Sequence, residues 1–232
     1  MKIHDCAQGS QEWLMLRSGI PTASEFDSIL TRGGKKSESR ERYMLTLLAE
    51  RVMGHPCAEH ITMWMDRGKE MEKQAVSFYE FQRDTTTTAV GFITNDQETC
   101  GASPDRLVEI RGMLETKVPS EWVHMGYLLK SGKAYDKYMV QVQGQLLVVE
   151  DRDWTDILSF HPELPPAIIR IERDLQFQSL LAEAVAEFSA ALELAWSGLV
   201  ADGLTARPAR QQPSEQERLI QALKESLVEI KG

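Results

Sequence analysis

The sequence lacks the long uninterrupted apolar run that is typical of a segment that enters or crosses a membrane. Its first residues, MKIHDCAQGSQEW, contain no apolar core like that of a secretory signal peptide. No run approaches the roughly 18 apolar residues that a transmembrane helix needs. We therefore expect a soluble, cytoplasmic protein with no membrane partner.

Cysteine and histidine are too few and too scattered for a zinc site or a disulfide framework. The chain has three cysteines and five histidines, and neither set shows the paired spacing of zinc ligands. They are Cys6, Cys57, Cys100, His4, His55, His60, His124 and His161. We expect the cysteines to be free thiols in a reducing compartment.

Positive charge is also scarce. The 26 Lys and Arg residues are outnumbered by 35 Asp and Glu residues, which gives a formal net charge of -9. Because phosphate contacts require Lys and Arg, this balance argues against a protein that coats DNA without specificity. It does not argue against an enzyme that holds DNA in one groove, since a local basic surface can coexist with an acidic whole.

The length of 232 residues is enough for one sizeable domain, or for one domain with a tail. We predict a domain over residues 1–200, a linker over 201–213 and a C-terminal amphipathic helix over 214–232. The terminal helix has its leucines and isoleucines on one face. It docks on its own domain, on a neighbouring subunit or on a partner protein, and the sequence leaves these alternatives open.

The stretch SPDRLVEIRGMLETKVP, residues 103–119, places two acids and a lysine together. A turn ending at Gly112 predicts two strands, with Asp105 on one and Glu115 and Lys117 on the other. Glu115 and Lys117 are two residues apart and share one face of a strand. Paired carboxylates are costly unless a cation lies between them, and Mg²⁺ takes one or two carboxylates with water and phosphate oxygens. Lys117 would then orient or help to deprotonate an attacking water.

Helical and β-branched segments alternate along the rest of the chain. Helical spacing is found over about 11–17, 40–53, 64–82, 135–149 and 174–197, and strand-like runs over 85–94, 101–108, 112–118, 156–161 and 167–172. Thr22 and Glu25 fit a capping box that opens a further helix. The pattern predicts an α/β (α+β) fold with a mixed central sheet flanked by helices.

Three groups of polar residues allow two interpretations each. Glu80 borders the buried face of its helix and is either a rim charge, which periodicity favours, or a third acid at the metal site. The loop over 31–37 is either solvated, which its composition favours, or a contact to the phosphate backbone. Its cations are Arg32, Lys35 and Lys36. On the helix over 135–149, one polar face is either plain surface or a set of donors to phosphate.

Four ordered segments resemble the lambda-type exonuclease family, also called YqaJ-like viral recombinases, of the PD-(D/E)XK nuclease superfamily. The segments are WLMLRSGIPTASEF (13–26), RGKEMEKQAVSFYEF (67–81), SPDRLV with LETKVPS (103–120) and YMVQVQ (138–143). The resemblance runs from about Gly9 to about Trp196 and implies a core like that of the restriction endonucleases.

The resemblance implies a role for individual residues. Asp105 and Glu115, with the backbone carbonyl of Thr116, would bind the metal, and Lys117 would be the catalytic lysine. Glu80 would be an additional acid of the active site, against the preference from periodicity.

Further residues would position the substrate. Gln141 would lie beside the active site. Arg17 and Ser24 would bind a 5′ phosphate near the start of a helix, where backbone amides favour anions. Ser103 is a further candidate for a phosphate contact.

The resemblance also implies an activity. It indicates an exonuclease that uses Mg²⁺, with Mn²⁺ as a substitute, and degrades one strand of linear double-stranded DNA from a 5′-phosphorylated end. A homotrimeric ring and a single-strand annealing protein as partner are implied as well. The alternatives are a PD-(D/E)XK endonuclease, a non-catalytic scaffold that binds DNA ends and, more remotely, a hydrolase of small phosphoesters.

Overall fold

The computed structural model describes residues 1–57, 63–129 and 133–206. The helices are α1 (Gln11–Arg17), α2 (Arg40–Met53), α3 (Met63–Arg83), α4 (Glu121–Leu129), α5 (Met139–Val148) and α6 (Leu175–Ala201), with 3₁₀ helices at Ala23–Ser28 and Lys133–Tyr138. The strands are β1 (Lys2–His4), β2 (Thr87–Ala89), β3 (Phe92–Thr94), β4 (Gly101–Ala102), β5 (Arg106–Val108), β6 (Gly112–Lys117), β7 (Trp154–His161) and β8 (Leu164–Glu172).

A five-stranded mixed sheet with the order β2-β5-β6-β7-β8 forms the centre of the fold. β6 and β7 pair in parallel, whereas the other pairs in this sheet are antiparallel. Arg106 of β5 pairs with Leu114 of β6, so Asp105 comes opposite Glu115. The predicted mixed sheet flanked by helices is confirmed.

The two faces of this sheet bury different helices. On one face, Met113 and Ile157 belong to the large core that includes α5 and α6. On the other face, Leu114 and Leu158 pack with Tyr79 of α3. Because side chains alternate along a strand, Glu115 shares its face with Met113 and points towards α5.

The close packing of α5 on the 3₁₀ helix Ala23–Ser28 joins the N-terminal region to the sheet. Gly144 allows this approach, because a Cβ built there would lie 2.5 Å from Cδ2 of Phe26. Phe26 itself is completely buried. The segment that follows α1 is thereby held beside the sheet.

Helix α6 is long and apolar enough to cross a membrane by length and composition alone. However, its residues Leu181, Val185, Phe188 and Leu192 are buried in the same core as α5. Asp174 caps the helix by accepting a hydrogen bond of 3.0 Å from the N–H of Phe177. The helical spacing predicted over 174–197 therefore corresponds to a helix whose apolar face packs on the core.

Two local predictions are wrong, and a third is confirmed in part. The strand predicted over 101–108 is divided, because β4 and β5 belong to different sheets and Pro104 between them has no N–H for a ladder. The predicted capping box is absent: Thr22 makes no side-chain cap hydrogen bond, and a 3₁₀ turn follows instead. The helix predicted over 135–149 consists of a 3₁₀ helix and then α5.

The C-terminal predictions are described only in part. Residues 202–206 follow α6 without regular structure and are exposed. Most of the predicted linker and the predicted helix over 214–232 lie outside the described residues.

Candidate active site

Asp105 and Thr116 connect the end of β5 to β6. Oδ2 of Asp105 accepts hydrogen bonds of 2.6 Å from both the backbone N–H and the hydroxyl of Thr116. Asp105 is half-buried, and Thr116 is buried. The carboxylate is therefore fixed next to the start of β5, opposite Glu115.

The Asp105 carboxyl group lies in an unfavourable environment for a negative charge. Burial is the largest cause that raises its pKa to about 8, and the charges of Glu115 and then Glu72 raise it further, against the hydrogen bonds from Thr116. A cation bound between these acids would remove the repulsion. The site thus has the electrostatics of a metal site.

Glu115 is held by three donors on two elements. Its Oε1 accepts from Nζ of Lys117 at 2.6 Å and from Nε2 of Gln141 at 2.7 Å, and its Oε2 accepts from Nε2 of Gln145 at 2.7 Å. The carboxylate is almost fully buried. The predicted grouping of Glu115, Lys117 and Gln141 is therefore present in the structure.

Lys117 is positively charged in this environment. Burial lowers its pKa, but the charge of Glu115 and its hydrogen bond outweigh burial, so the net pKa is raised above the ordinary value. The side chain keeps 22% of its surface exposed. Lys117 is thus fixed by Glu115 and remains partly accessible to solvent.

Glu80 takes part in a different contact. Its Oε1 accepts from the backbone N–H of Thr87 at 2.8 Å and from the Thr87 hydroxyl at 2.7 Å. The acid of α3 whose charge acts on Asp105 is Glu72. A rise of about 1.5 Å per residue separates these positions by about 12 Å along the helix. This geometry matches the rim charge that periodicity favours for Glu80.

The sequence interpretation missed Glu72 and Gln145 as members of the site. Glu72 precedes the buried Ala75, Val76 and Tyr79 at helical spacing, so it shares the face of α3 that packs on the sheet. This helical spacing is the feature of the sequence that indicates the position of Glu72. Gln145, four residues after Gln141, binds the same carboxylate.

The arrangement fits a cation that keeps part of its water shell. Among the described residues, no group of three or more His, Cys, Asp or Glu forms a ready ligand cluster. A pair of carboxylates offers the oxygen ligands of a hard cation rather than the nitrogen and sulfur ligands that zinc prefers. Oε1 of Gln145, buried with no hydrogen-bond partner, leaves an acceptor beside the pair unsatisfied.

A second polar cluster lies next to the carboxylates, because Ser103 is two residues before Asp105. Nη1 of Arg17 lies 3.5 Å from Oγ of Ser103, and Nη2 lies 3.2 Å from Oγ of Ser24. Trp13 donates to Oγ of Ser103 at 2.8 Å, and its ring lies 4.2 Å from the Arg17 guanidinium carbon. Arg17 and Ser24 are thus brought together with Ser103 from a distant part of the chain, and one guanidinium and two hydroxyls lie in one cluster.

The loop over 31–37 is ordered by its own hydrogen bonds. The backbone of Thr31 bonds to that of Lys35 at 2.8 Å. Arg32 is paired with Asp136, and Lys36 is paired with Glu187 at 2.7 Å. Exposed pairs of this kind contribute little to stability, about 0–1 kcal/mol.

Known proteins share this fold. A family model described as YqaJ-like viral recombinase domain matches residues 12–155. The crystal structure of an alkaline exonuclease (LHK-Exo) from Laribacter hongkongensis is 32% identical, with a TM-score of 0.74 over 83% of this chain and 97% of that chain. The structure of LHK-Exo in complex with dAMP gives the same values.

A more distant structure shares the fold alone. This phage related exonuclease from Haemophilus somnus 129PT is 16% identical, with a TM-score of 0.60 over 79% of this chain and 96% of that chain. No curated protein sequence matches the chain. Since the family model covers more than half of the residues, the chain belongs to the YqaJ-like viral recombinase family.

Proposed function

We propose that this chain is a Mg²⁺-dependent 5′-to-3′ exonuclease that degrades one strand of linear double-stranded DNA from a 5′-phosphorylated end. The products would be mononucleotides and a 3′ overhang suited to single-strand annealing. That the chain is a nuclease follows from its family and from its likeness to an alkaline exonuclease at 32% identity. The polarity, the end chemistry and the metal are our proposal.

One observation carries the proposal: a cationic cluster lies two residues along the chain from the carboxylate pair. The Arg17–Ser24–Ser103 cluster offers a guanidinium and two hydroxyls to an anion, a geometry suited to a phosphate. A terminal 5′ phosphate bound there would leave the next phosphodiester beside Asp105 and Glu115. An enzyme with this spacing would bind the end of a strand and release one nucleotide in each cut.

Asp105, Glu115 and the carbonyl of Thr116 would hold the metal, with Glu72 as a further acid. When bound, Mg²⁺ supplies a lowered pKa for water and neutralises charge on the phosphate. Mn²⁺ would serve as a substitute. Glu80 is left out of the proposed ligand set, because its carboxylate is hydrogen-bonded to Thr87.

The chain's own groups perform the positioning. Lys117 donates to an attacking water or to a non-bridging phosphate oxygen, and Glu115 fixes the direction of its ammonium group. Gln141 and Gln145 fix both oxygens of Glu115. Because these groups are oriented before the substrate binds, little reorganisation is needed in the transition state.

The assembly and the setting of the reaction are further parts of the proposal. The family resemblance implies a homotrimeric ring around DNA and a single-strand annealing protein as partner. A cytoplasmic setting agrees with three free cysteines. Light scattering on the purified protein would test the trimer, because a monomer near 26.3 kDa would contradict it.

The test of the function is digestion of linear duplex DNA with Mg²⁺. Substrates with 5′-phosphate and 5′-hydroxyl ends would be compared, with a closed circle in the same reaction. We expect mononucleotides from the phosphorylated end, slower attack on the hydroxyl end, and an intact circle. Arg17→Ala should remove the preference for the phosphate, and Lys117→Ala should remove cleavage.

Other results would indicate a different function. Discrete cuts in the circle would indicate an endonuclease. Tight binding of DNA ends without cleavage by the wild-type protein would indicate a scaffold. Hydrolysis of a small phosphomonoester in the absence of DNA would indicate a phosphoesterase.

A further inference from the structure

A second lysine lies beside Lys117 across an aromatic ring. Nζ of Lys117 and Nζ of Lys137 each lie 4.6 Å from the centroid of the Tyr138 ring. The two ammonium groups are therefore separated by no more than twice that distance. Lys137 is exposed, so it is available to a molecule bound at the active site.

Three packed tyrosines surround the base of Lys137. The hydroxyls of Tyr127 and Tyr138 are 3.2 Å apart, and Tyr127 stacks on Tyr135 with ring centroids 5.2 Å apart. Tyr127 and Tyr135 are both buried. The Lys137 ammonium lies 5.6 Å from the Tyr127 ring centroid. A lysine held in this way loses less side-chain entropy when it binds a ligand.

Lys137 also differs from its neighbours in its charge balance. Lys117 is paired with Glu115, Arg32 with Asp136 and Lys36 with Glu187. Within the described part of the chain, the partners of Lys137 are two phenols, which carry no charge at neutral pH. In a protein of net charge -9, an uncompensated cation beside paired carboxylates favours the approach of an anion.

Lys137 and the Arg17–Ser24–Ser103 cluster are connected to the two carboxylates through different residues. Arg17 contacts Ser103, which lies two residues before Asp105 in the chain. Lys137 shares the Tyr138 ring with Lys117, and Lys117 donates to Glu115. Lys137 is thus a second cationic group near the carboxylates, separate from the cluster of Arg17.

We propose that Lys137, supported by Tyr127 and Tyr138, binds the phosphate that follows the scissile one in the degraded strand. The inference rests on the proposed exonuclease function and adds a third phosphate position to it. The terminal phosphate contacts Arg17, the scissile phosphate lies at Asp105 and Glu115, and the next phosphate contacts Lys137. Lys137 is thus a substrate-binding residue that sets where the strand lies.

The test uses single-turnover release of the first nucleotide from a 5′-phosphorylated duplex in excess enzyme with Mg²⁺. Lys137→Ala should raise the enzyme concentration for half-maximal rate by about 5- to 20-fold, as expected for one charge-assisted contact, with the maximal rate within about twofold. Lys137→Arg should restore binding. Lys2→Ala is the matched control, because Lys2 is an exposed lysine paired with Glu98 on a different sheet.

Replacing one phosphate of the DNA by an uncharged methylphosphonate identifies which phosphate Lys137 contacts. A methylphosphonate at the second internucleotide linkage should weaken the wild-type enzyme as much as Lys137→Ala does, and should add nothing to that variant. The same substitution at the sixth linkage should leave the effect of the variant unchanged. If Lys137→Ala and the second-linkage methylphosphonate weaken binding independently, or if the variant lowers only the maximal rate, the inference is overturned.

The two proposals can fail separately. Absence of nucleotide release by the wild-type enzyme would overturn the exonuclease function. Fluorescence anisotropy of the same labelled duplexes measures binding without cleavage and gives the same comparison of Lys137→Ala with the methylphosphonate. A common loss in that assay supports the contact, and independent losses contradict it.

Discussion

Two buried carboxylates on neighbouring strands of the same sheet have opposite surroundings. Asp156 of β7 is completely buried and receives two hydrogen bonds from Arg170, at 2.8 and 2.9 Å, and one from the Tyr79 hydroxyl at 2.7 Å. Glu115 of β6 is nearly as buried, yet it faces a second carboxylate, Asp105, and one lysine. The charge of Asp156 is balanced by Arg170, whereas Glu115 and Asp105 together place two acids beside one lysine.

This difference separates a structural charge from a functional one. The Arg170 guanidinium carbon lies 3.4 Å from the centroid of the Trp154 ring, so the Asp156–Arg170 pair is also packed against an aromatic side chain. At Asp105 and Glu115 the excess negative charge is stable only when a cation or a proton is added. Both sites contain a buried carboxylate, and only the imbalance of charge distinguishes the functional site from the structural one.

The largest effect is expected at the unbalanced site. Lys117→Ala should lower the rate of cleavage by about 10²- to 10⁴-fold, because it removes the group that orients water or phosphate. Single-turnover digestion of 5′-phosphorylated duplex DNA measures this rate. Lys2→Ala should match the wild type. A Lys117→Ala protein that cleaves at nearly the normal rate would remove Lys117 from the mechanism.

At the balanced site the loss should be one of stability. Asp156→Ala should lower the free energy of unfolding by about 3 kcal/mol, at the low end for a broken buried pair, since the Arg170 side chain is 42% exposed and regains water. Urea denaturation measures the change. Asp153→Ala, which breaks an exposed pair with Arg111, should cost less than about 1 kcal/mol. Equal losses in the two variants would contradict this account.

The two acids of α3 provide a matched pair of substitutions. Glu72→Gln should weaken Mg²⁺ binding about 10-fold, in the range for groups that support a metal site, because its charge acts on Asp105. Glu80→Gln should leave metal binding within about twofold, because its contact is to Thr87. Isothermal titration with Mg²⁺ compares them. The reverse result would restore Glu80 to the ligand set.

The unbalanced site should also make stability depend on pH in EDTA. The pKa of Asp105 is raised from 3.8 to about 8 in the folded protein, so the native state binds more protons than the unfolded state between these values. Its contribution to stability is complete below about pH 4 and is lost as the pH rises through about 8. The Asp105→Asn substitution removes this contribution to the pH dependence of stability.

Thermal unfolding between pH 5 and 8.5, without metal, would compare the two proteins. We expect the melting temperature of the wild type to fall relative to that of Asp105→Asn as the pH rises. Parallel curves would mean that Asp105 is ionised throughout this range.

Much of the site follows from spacing along the sequence. The positions of Glu115 and Lys117, two residues apart, fix their common face, and the predicted hairpin brings Asp105 to Glu115. The grouping of Arg17 and Ser24 with Ser103 follows from the family resemblance, because no local pattern connects residues so far apart in the chain.

The remainder depends on tertiary packing. Periodicity favours a rim position for Glu80. It does not show that Glu72, on the buried face of α3, lies close enough for its charge to act on Asp105. Gln145 is indistinguishable from a surface glutamine until α5 is placed over Glu115. Pro104 was visible in the sequence, yet the assignment of β4 and β5 to two sheets is decided by long-range pairing.

The most direct test of the account is the effect of Mg²⁺ on thermal stability in three proteins. The wild type and Asp153→Ala should both gain stability when Mg²⁺ is added, because each retains the unbalanced carboxylates. Asp105→Asn should gain little, because one of the two acids is neutral. If Mg²⁺ stabilises all three proteins equally, the cation does not bind between Asp105 and Glu115, and the proposed active site is contradicted.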